Sequence, residues 1–566
     1  MRPTTLLVTI AAATAVLAAQ PPRLPAVTVY ELSLADLRTA MEQKRITSRE
    51  IVTEYLARIA TYDTRLQATI AVNPHALQEA DARDRERAAG RVRGPLHGIP
   101  IALKDNIHTT EMPTTGGALA FRGFTPPYEA TLTRLLKDAG AILIAKTGMT
   151  ELANWVAGAP TPMPTNYNAV SGFGFNPYDP RPDPRPDADG RPALATGGSS
   201  SGVGTAASFW PANIGTETSG SILSPANQNM LVGIKPTVGR ISRYGVIPIT
   251  ADQDTPGPLA KTVRDAAILL GALEGATPDP NDPATSACTP PPGRDYTRRL
   301  TAGALAGARI GIPRAFYYEP ATPPGTTQPR GGLNDAQSQV MRDAVALLKQ
   351  HGAVVVDPAD IPSVTSADPQ SNVLLFGVCS GAGQGRGKDQ DCSVAFKYGM
   401  KRDFNAWLAS LGPSAPVKTL GDLRAWNTAH KNAGAIKYGQ SNLDVSDEMD
   451  LERDRERYLA DRRKDLRLSA AEGIDAVMTR ERLDALLFPA TSGAALAARP
   501  GYPTVIVPFG LVPNAPTPAF PEGFAARPQP YGVSFTGGAC SEPRLLELAY
   551  AFEQATRRRV PPPDLR

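Results

Sequence analysis

Helix-length segments alternate with short, continuously apolar runs along most of this chain, and that alternation restricts its fold more than any other feature. A segment at about 129–139 reads as a helix and is followed by the run Ala141-Ile142-Leu143-Ile144-Ala145. Runs of this kind suit strands buried on both faces, so the pattern predicts an α/β fold whose sheet carries helices on each side. Further strands are predicted at Ile99 to Leu103, Ala212 to Gly215, Arg309 to Pro313, Val354 to Val356, Leu486 to Phe488 and Val505 to Val507. Residues 33–91 read as helices, with Thr47-Ser48-Arg49-Glu50 as a capping box before Ile51, Tyr55 and Ile59. Thr262 and Asp265 begin another helix that runs to about Leu273, and others are predicted at 335–351, within 400–482 and at 542–558. Residues 159–195 are rich in Pro, Asn, Asp and Gly and read as an extended loop; residues 276–297 read as a linker or a long excursion. No internal repeat is present.

With 566 residues the chain suffices for one large domain or two to three ordinary ones. A formal net charge of only +4, with no dominant basic stretch, gives no electrostatic footprint for nucleic acid. Residues 1–19 read as a signal peptide: Arg2, a small apolar run from Thr5 to Ala15, then Val16-Leu17-Ala18-Ala19 with cleavage after Ala18 or Ala19. The apolar run is short for a bilayer span, which needs about 20 residues. The mature chain, residues 20–566, is therefore expected to be secreted or periplasmic and to keep no membrane span. Export permits Cys288, Cys379, Cys392 and Cys540 to oxidise. Cys379 and Cys392 flank a Gly-rich loop and could close it, although four cysteines allow three connectivities. The absence of CxxC and of any histidine pair at i, i+4 points away from a metal site.

Three segments carry the chemistry. Gly98-Ile99-Pro100-Ile101-Ala102-Leu103-Lys104-Asp105-Asn106 sets a lysine at the end of an apolar strand. Gly197-Gly198-Ser199-Ser200-Ser201-Gly202 follows, and then Gly215-Thr216-Glu217-Thr218-Ser219-Gly220-Ser221-Ile222. Each alone has an ordinary structural explanation: a solvated lysine, a flexible Gly-Ser run, a turn. Together, in this order, they resemble the amidase signature family, most closely its bacterial peptide amidase branch. The resemblance runs from about Leu34 to Arg559, is densest over 96–274, and includes Leu96 to Pro100, Met112 to Thr115, Lys235 to Gly239, Gln253 to Pro258 and Tyr550 to Thr556.

The resemblance implies a single domain with a three-layer α/β/α sandwich and a large mixed central sheet. It implies a triad of Lys104 as base, Ser199 as relay after a cis Gly198–Ser199 peptide, and Ser221 as nucleophile, with no cofactor. The chemistry is coherent on its own terms. An amide carbonyl is a poor electrophile, so a serine must lose its proton as it attacks. A lysine can take that proton only when neutral, which burial favours. A hydroxyl such as that of Ser199 donates and accepts at once. Backbone N–H groups of Thr218, Ser219, Gly220 and Ser221 can converge on the oxyanion. Gly198, Ser200, Trp155 and Thr216 are candidate substrate-side residues, with Met163 and Tyr167 beside Trp155; Thr216 is equally a candidate to support the lysine or a serine, or simply to stabilise a turn. The substrate implied is a peptide C-terminal amide or a small alkyl or aryl carboxamide. Three departures from the family pattern stand out. Ser199 to Ser221 is about two residues short, Ser219 replaces a Gly or Asp, and Leu223 replaces the Arg common in the tRNA-dependent transamidase members.

Two rivals remain. Gly198 to Gly202 also fits the G-x-S-x-G elbow, with Ser200 as nucleophile and His430 as a partner, but residues 187–196 do not read as the strand an elbow needs. The other is an amidase fold retained for binding with an impaired site. Lys146-Thr147-Gly148 matches one β-lactamase motif without the S-x-x-K that should accompany it, and Gly140 to Thr147 misses a phosphate-binding loop at Ala145.

Overall fold

The computed structural model describes residues 27–198 and 201–566, so residues 1–19, expected to be a signal peptide, lie outside it. Among the described residues eleven strands form one mixed sheet. In chain order they are β1 (Thr69–Val72), β2 (Pro100–Lys104), β3 (Ile142–Thr147), β4 (Ala212–Glu217), β5 (Val232–Lys235), β6 (Thr255–Ala260), β7 (Arg309–Gly311), β8 (Val354–Val356), β9 (Ala485–Pro489), β10 (Thr504–Val512) and β11 (Gln529–Thr536). Their spatial order is β1-β3-β2-β4-β6-β5-β10-β11-β9-β7-β8. β3, β2 and β4 run parallel, as do β9, β7 and β8, while the joints between these blocks are antiparallel. Every residue of β2, β3 and β4 is buried, as strands covered on both faces must be. Leu103, Ile144, Ile214, Ile310, Leu487, Val505 and Phe535 lie in the largest core cluster, which also takes in helix Val263–Leu273 and helix Glu542–Thr556.

The stretch 33–91 is not wholly helical. Helix Ser48–Leu66 ends at Gln67, in a left-handed conformation (φ 49°), and Thr69–Val72 then pairs with β3 as the edge strand β1. A strand so short, and only partly covered, leaves no periodicity among flanking helices. β5, β6 and β11 are likewise additions to the predicted set. β6 contains Pro256 and Pro258, and proline normally argues against a central strand. Within β6, β5 pairs only with Leu259 and Ala260, so at the two prolines β6 is bonded to β4 alone.

Residues 276–297 are a packed excursion and not a linker. Tyr296 is buried, its hydroxyl donating to Glu274 (2.7 Å), and Cys288 is bonded to Cys540. The second disulfide joins Cys379 to Cys392 and closes the Gly-rich loop. The charged region 400–482 folds as short helices, and with helix Ala395–Ser410 these cover the segment that follows β3. That contact is a separate apolar cluster of Leu152, Trp155, Met163, Phe396, Phe404 and Leu443, among others.

Candidate active site

β2 and β4 are parallel neighbours, with Ala102 opposite Asn213 and Leu103 opposite Ile214. Their carboxyl ends therefore lie side by side, the position at which open α/β sheets characteristically bind ligands. β2 ends on Lys104 and β4 leads into the loop that carries Ser221. Lys104 is fully buried. Its Nζ donates to the Thr216 carbonyl (3.0 Å) and to Thr216 Oγ1 (2.9 Å), and Asn106 Nδ2 donates to the same hydroxyl (2.9 Å). Burial disfavours the ammonium and lowers the Lys104 pKa to about 8, against the opposing charges of Asp254 and Glu217. A neutral amine has two N–H groups, which suffice for both bonds to Thr216. Its lone pair is thus left over for a proton.

The Gly-Ser segment packs directly against the Ser221 loop. Gly197 has φ +84° and lies against the Ser224–Pro225 backbone, where an added Cβ has no room. A Cβ at Gly198 would sit 3.3 Å from Ser221 Oγ. The Gly198 carbonyl is fixed by the Thr150 hydroxyl (2.9 Å). Ser199 and Ser200, and with them the Gly198–Ser199 peptide bond, lie outside the described residues. Helix Ser201–Ala206 stops early, the chain turns at Ser208 (φ 55°), and β4 begins at Ala212.

Glu217 shapes the Ser221 loop from within: its Oε2 accepts from the N–H groups of Ile222 (2.7 Å) and Leu223 (3.0 Å). Among the described residues nothing accepts from the N–H groups of Ser219, Gly220 and Ser221. Thr218 is buried, and its hydroxyl donates to Asp254. Glu217, Asn106, Asp254 and Thr150 are polar groups of the site that sequence reasoning gave no role. Three of them stand in or beside quoted motifs, where buried polar side chains next to a catalytic residue are the available signal; Thr150 has none.

The other candidates are placed as follows. Trp155 is buried, its indole donates to Ser446 Oγ (3.0 Å), and its ring lies 5.0 Å from that of Phe396. Met163 is buried in the same cluster, and Tyr167 is half-buried against Phe173 and Tyr438. Thr216 is the direct partner of Lys104. His430 is exposed and stacked on Trp426 (3.8 Å between centroids), and no strand of the main sheet enters Gly197 among the described residues, so the elbow lacks its strand. Lys146 is buried and paired with Asp105 (3.3 Å).

These features have close counterparts. The amidase family model matches residues 50–546. A probable amidase of Arabidopsis thaliana is 32% identical over 539 residues, covering 94% of this chain and 92% of that protein. The native peptide amidase of Stenotrophomonas maltophilia superposes with a TM-score of 0.77 at 36% identity, over 94% of this chain and 99% of that one. A peptide amidase in complex with the competitive inhibitor chymostatin gives a TM-score of 0.78 at 35% identity, with the same coverage. With eleven strands in a mixed sheet, a lysine and a serine loop at its carboxyl edge, and a family match over most of its length, the chain belongs to the amidase signature family and is an amidase, a hydrolase of C–N bonds.

Proposed function

We propose that this amidase hydrolyses peptide C-terminal amides or small alkyl and aryl carboxamides through an acyl-enzyme on Ser221. The observation that carries the proposal is the buried Lys104. Its two N–H groups are engaged by Thr216, and the loop of its strand neighbour presents Ser221 next to Gly198. In this reading Ser221 Oγ attacks the carbonyl carbon while its proton passes to the Ser199 hydroxyl, whose own proton moves to Lys104 Nζ. The developing oxyanion is met by backbone N–H groups of the 218–221 loop, each worth roughly 10²–10³ in rate. Collapse breaks the C–N bond as the lysine, through Ser199, returns the proton to the leaving nitrogen. Ammonia or an amine departs. Water, deprotonated by the same relay, then cleaves the ester and frees the acid.

The peptide amidases among its structural relatives support a peptide amide as substrate. The leader supports a mature, single-domain protein of residues 20–566 outside the cytoplasm, and no described helix is long and apolar enough to cross a membrane.

The test is ammonia release by the mature protein from a panel of peptide amides and simple carboxamides, beside Ser221→Ala and Ser200→Ala. Turnover that survives loss of Ser200 but not of Ser221 is expected. Turnover that needs Ser200 instead would overturn the mechanism, and a folded wild type inert toward the whole panel would favour a binding protein.

A further inference from the structure

Asp254 stands immediately before β6, the antiparallel partner of β4, and its buried carboxylate ties two loops together. One oxygen accepts from the Thr218 hydroxyl. The other accepts from the N–H groups of Ile249 (2.8 Å) and Thr250 (3.0 Å). Gln253, next in the chain, donates through Nε2 to the Thr218 carbonyl (3.2 Å). Thr218 is thus held by its side chain and its backbone, three residues before Ser221. A void of about 10 Å³, enough for one water, lies among Asp254, Thr216, Thr218 and Asn106.

Among the described residues no cation pairs with Asp254 directly. Arg243 acts on it, but that guanidinium is committed to Asp282 (2.8 Å). Asp403, on the helix that packs from the other side, is a like charge and is itself paired with Arg402 (2.7 Å). Tyr128, Tyr244 and Trp407 complete a surface pocket of about 310 Å³ on that side, with Asp254 in its wall. Burial, aided by Asp403, raises the Asp254 carboxyl to about 7, while the bonds from Thr218 and Ile249 oppose the rise. Its charge in turn opposes the lowering at Lys104.

We propose that Asp254 is a positioning residue for amide hydrolysis, holding the nucleophile loop through Thr218 and placing a negative charge that acts on Lys104. The proposal rests on the Ser221–Lys104 mechanism above. An opposite charge near an ammonium favours the charged form. Asp254 therefore sets the pH at which the base becomes competent, as well as the geometry of the loop.

Asp254→Asn separates the two roles. The amide oxygen still accepts from Ile249 and Thr250, and the amide nitrogen can donate to the Thr218 oxygen, but the charge is gone. The acidic limb of kcat/KM against pH, read by ammonia release from a peptide amide, is expected to move down by about one pH unit with the plateau retained. Asp254→Ala loses the tether too, and kcat is expected to fall about tenfold or more. Thr218→Val should show the same loss of kcat, whereas Thr218→Ser, which keeps the hydroxyl, should not. An acidic limb in Asp254→Asn that superimposes on the wild type overturns the inference, as does Thr218→Val turning over as fast as Thr218→Ser; if Asp254→Asn fails to fold, the Thr218 pair decides. Ser221→Ala and Lys104→Met run alongside: turnover in either removes the catalytic mechanism itself, while their inactivity with an unmoved limb removes only the role of Asp254.

Discussion

Lys104 shows how position alone brings a lysine toward the range in which it can serve as a base. Its pKa is lowered by burial at the end of a fully covered strand, and no other cation is needed to explain the shift. Activity should rise with pH through a midpoint near 8, because the ammonium form cannot accept a proton. A rate that peaks in the acid range would contradict a lysine base. The same shift has a stability consequence of fixed sign. In the unfolded chain the lysine titrates at about 10.4, so between about 8 and 10.4 only the unfolded state holds the extra proton. The folded state therefore gains on the unfolded one as pH climbs through that window. Thermal unfolding of wild type and Lys104→Met, compared across it, should move in favour of the wild type; a constant difference would mean that Lys104 is not buried as the structure has it. Lysine and both serines were legible as residues. The Thr216 contact was legible only as one option, because Thr216 and Lys104 are 112 positions apart and meet through strand register.

At the scale of elements, the segment between the two serine motifs is the most constrained. Helix Ser201–Ala206 has six residues, and Trp210, fully buried, returns to lie on Gly204. A Cβ on Gly204 would run into the indole. Gly204→Ala should therefore cost about 1–3 kcal/mol by overpacking. It should also slow turnover, because the helix it distorts begins two residues after Ser199. Unfolding temperature and ammonia release read the two effects, and an unchanged unfolding temperature would show that Trp210 can yield. Element prediction succeeded where the strand is a continuous apolar run, buried in β2, β3, β9 and part of β10 and partly exposed in the edge strand β8. It failed at β1, which is only partly covered, at β6, which carries Pro256 and Pro258, and at β5 and β11, whose apolar runs are broken by Gly233 and by Pro530 and Gly532.

For the whole molecule, the two disulfides constrain very different lengths of chain. Cys288–Cys540 spans 252 residues and fastens the Pro-rich excursion just ahead of the closing helix, whereas Cys379–Cys392 spans 13. In the chain-entropy account the long loop contributes about 2–3 kcal/mol more than the short one. Replacing Cys288 and Cys540 by serine should lower the unfolding temperature more than replacing Cys379 and Cys392. The reverse order would mean that the Gly-rich loop, docked through Gly381 to Asn442 (2.7 Å), stabilises the helical cover over residues 151–163 more than loop length implies.

The sequence by itself determined the α/β class, the lysine, the two serine motifs and the family they resemble, because burial on both faces and chemistry-bearing spacings are written locally. Only the tertiary structure decided what surrounds them: that Thr216 accepts two hydrogen bonds from Lys104, that Glu217 turns inward to hold Ile222 and Leu223, and that Asp254 reaches across from the next strand to Thr218. The first and last of these contacts join residues that meet at the ends of neighbouring strands but share no stretch of chain. Their energies depend on exclusion of water, a property of the assembled fold that no segment carries alone.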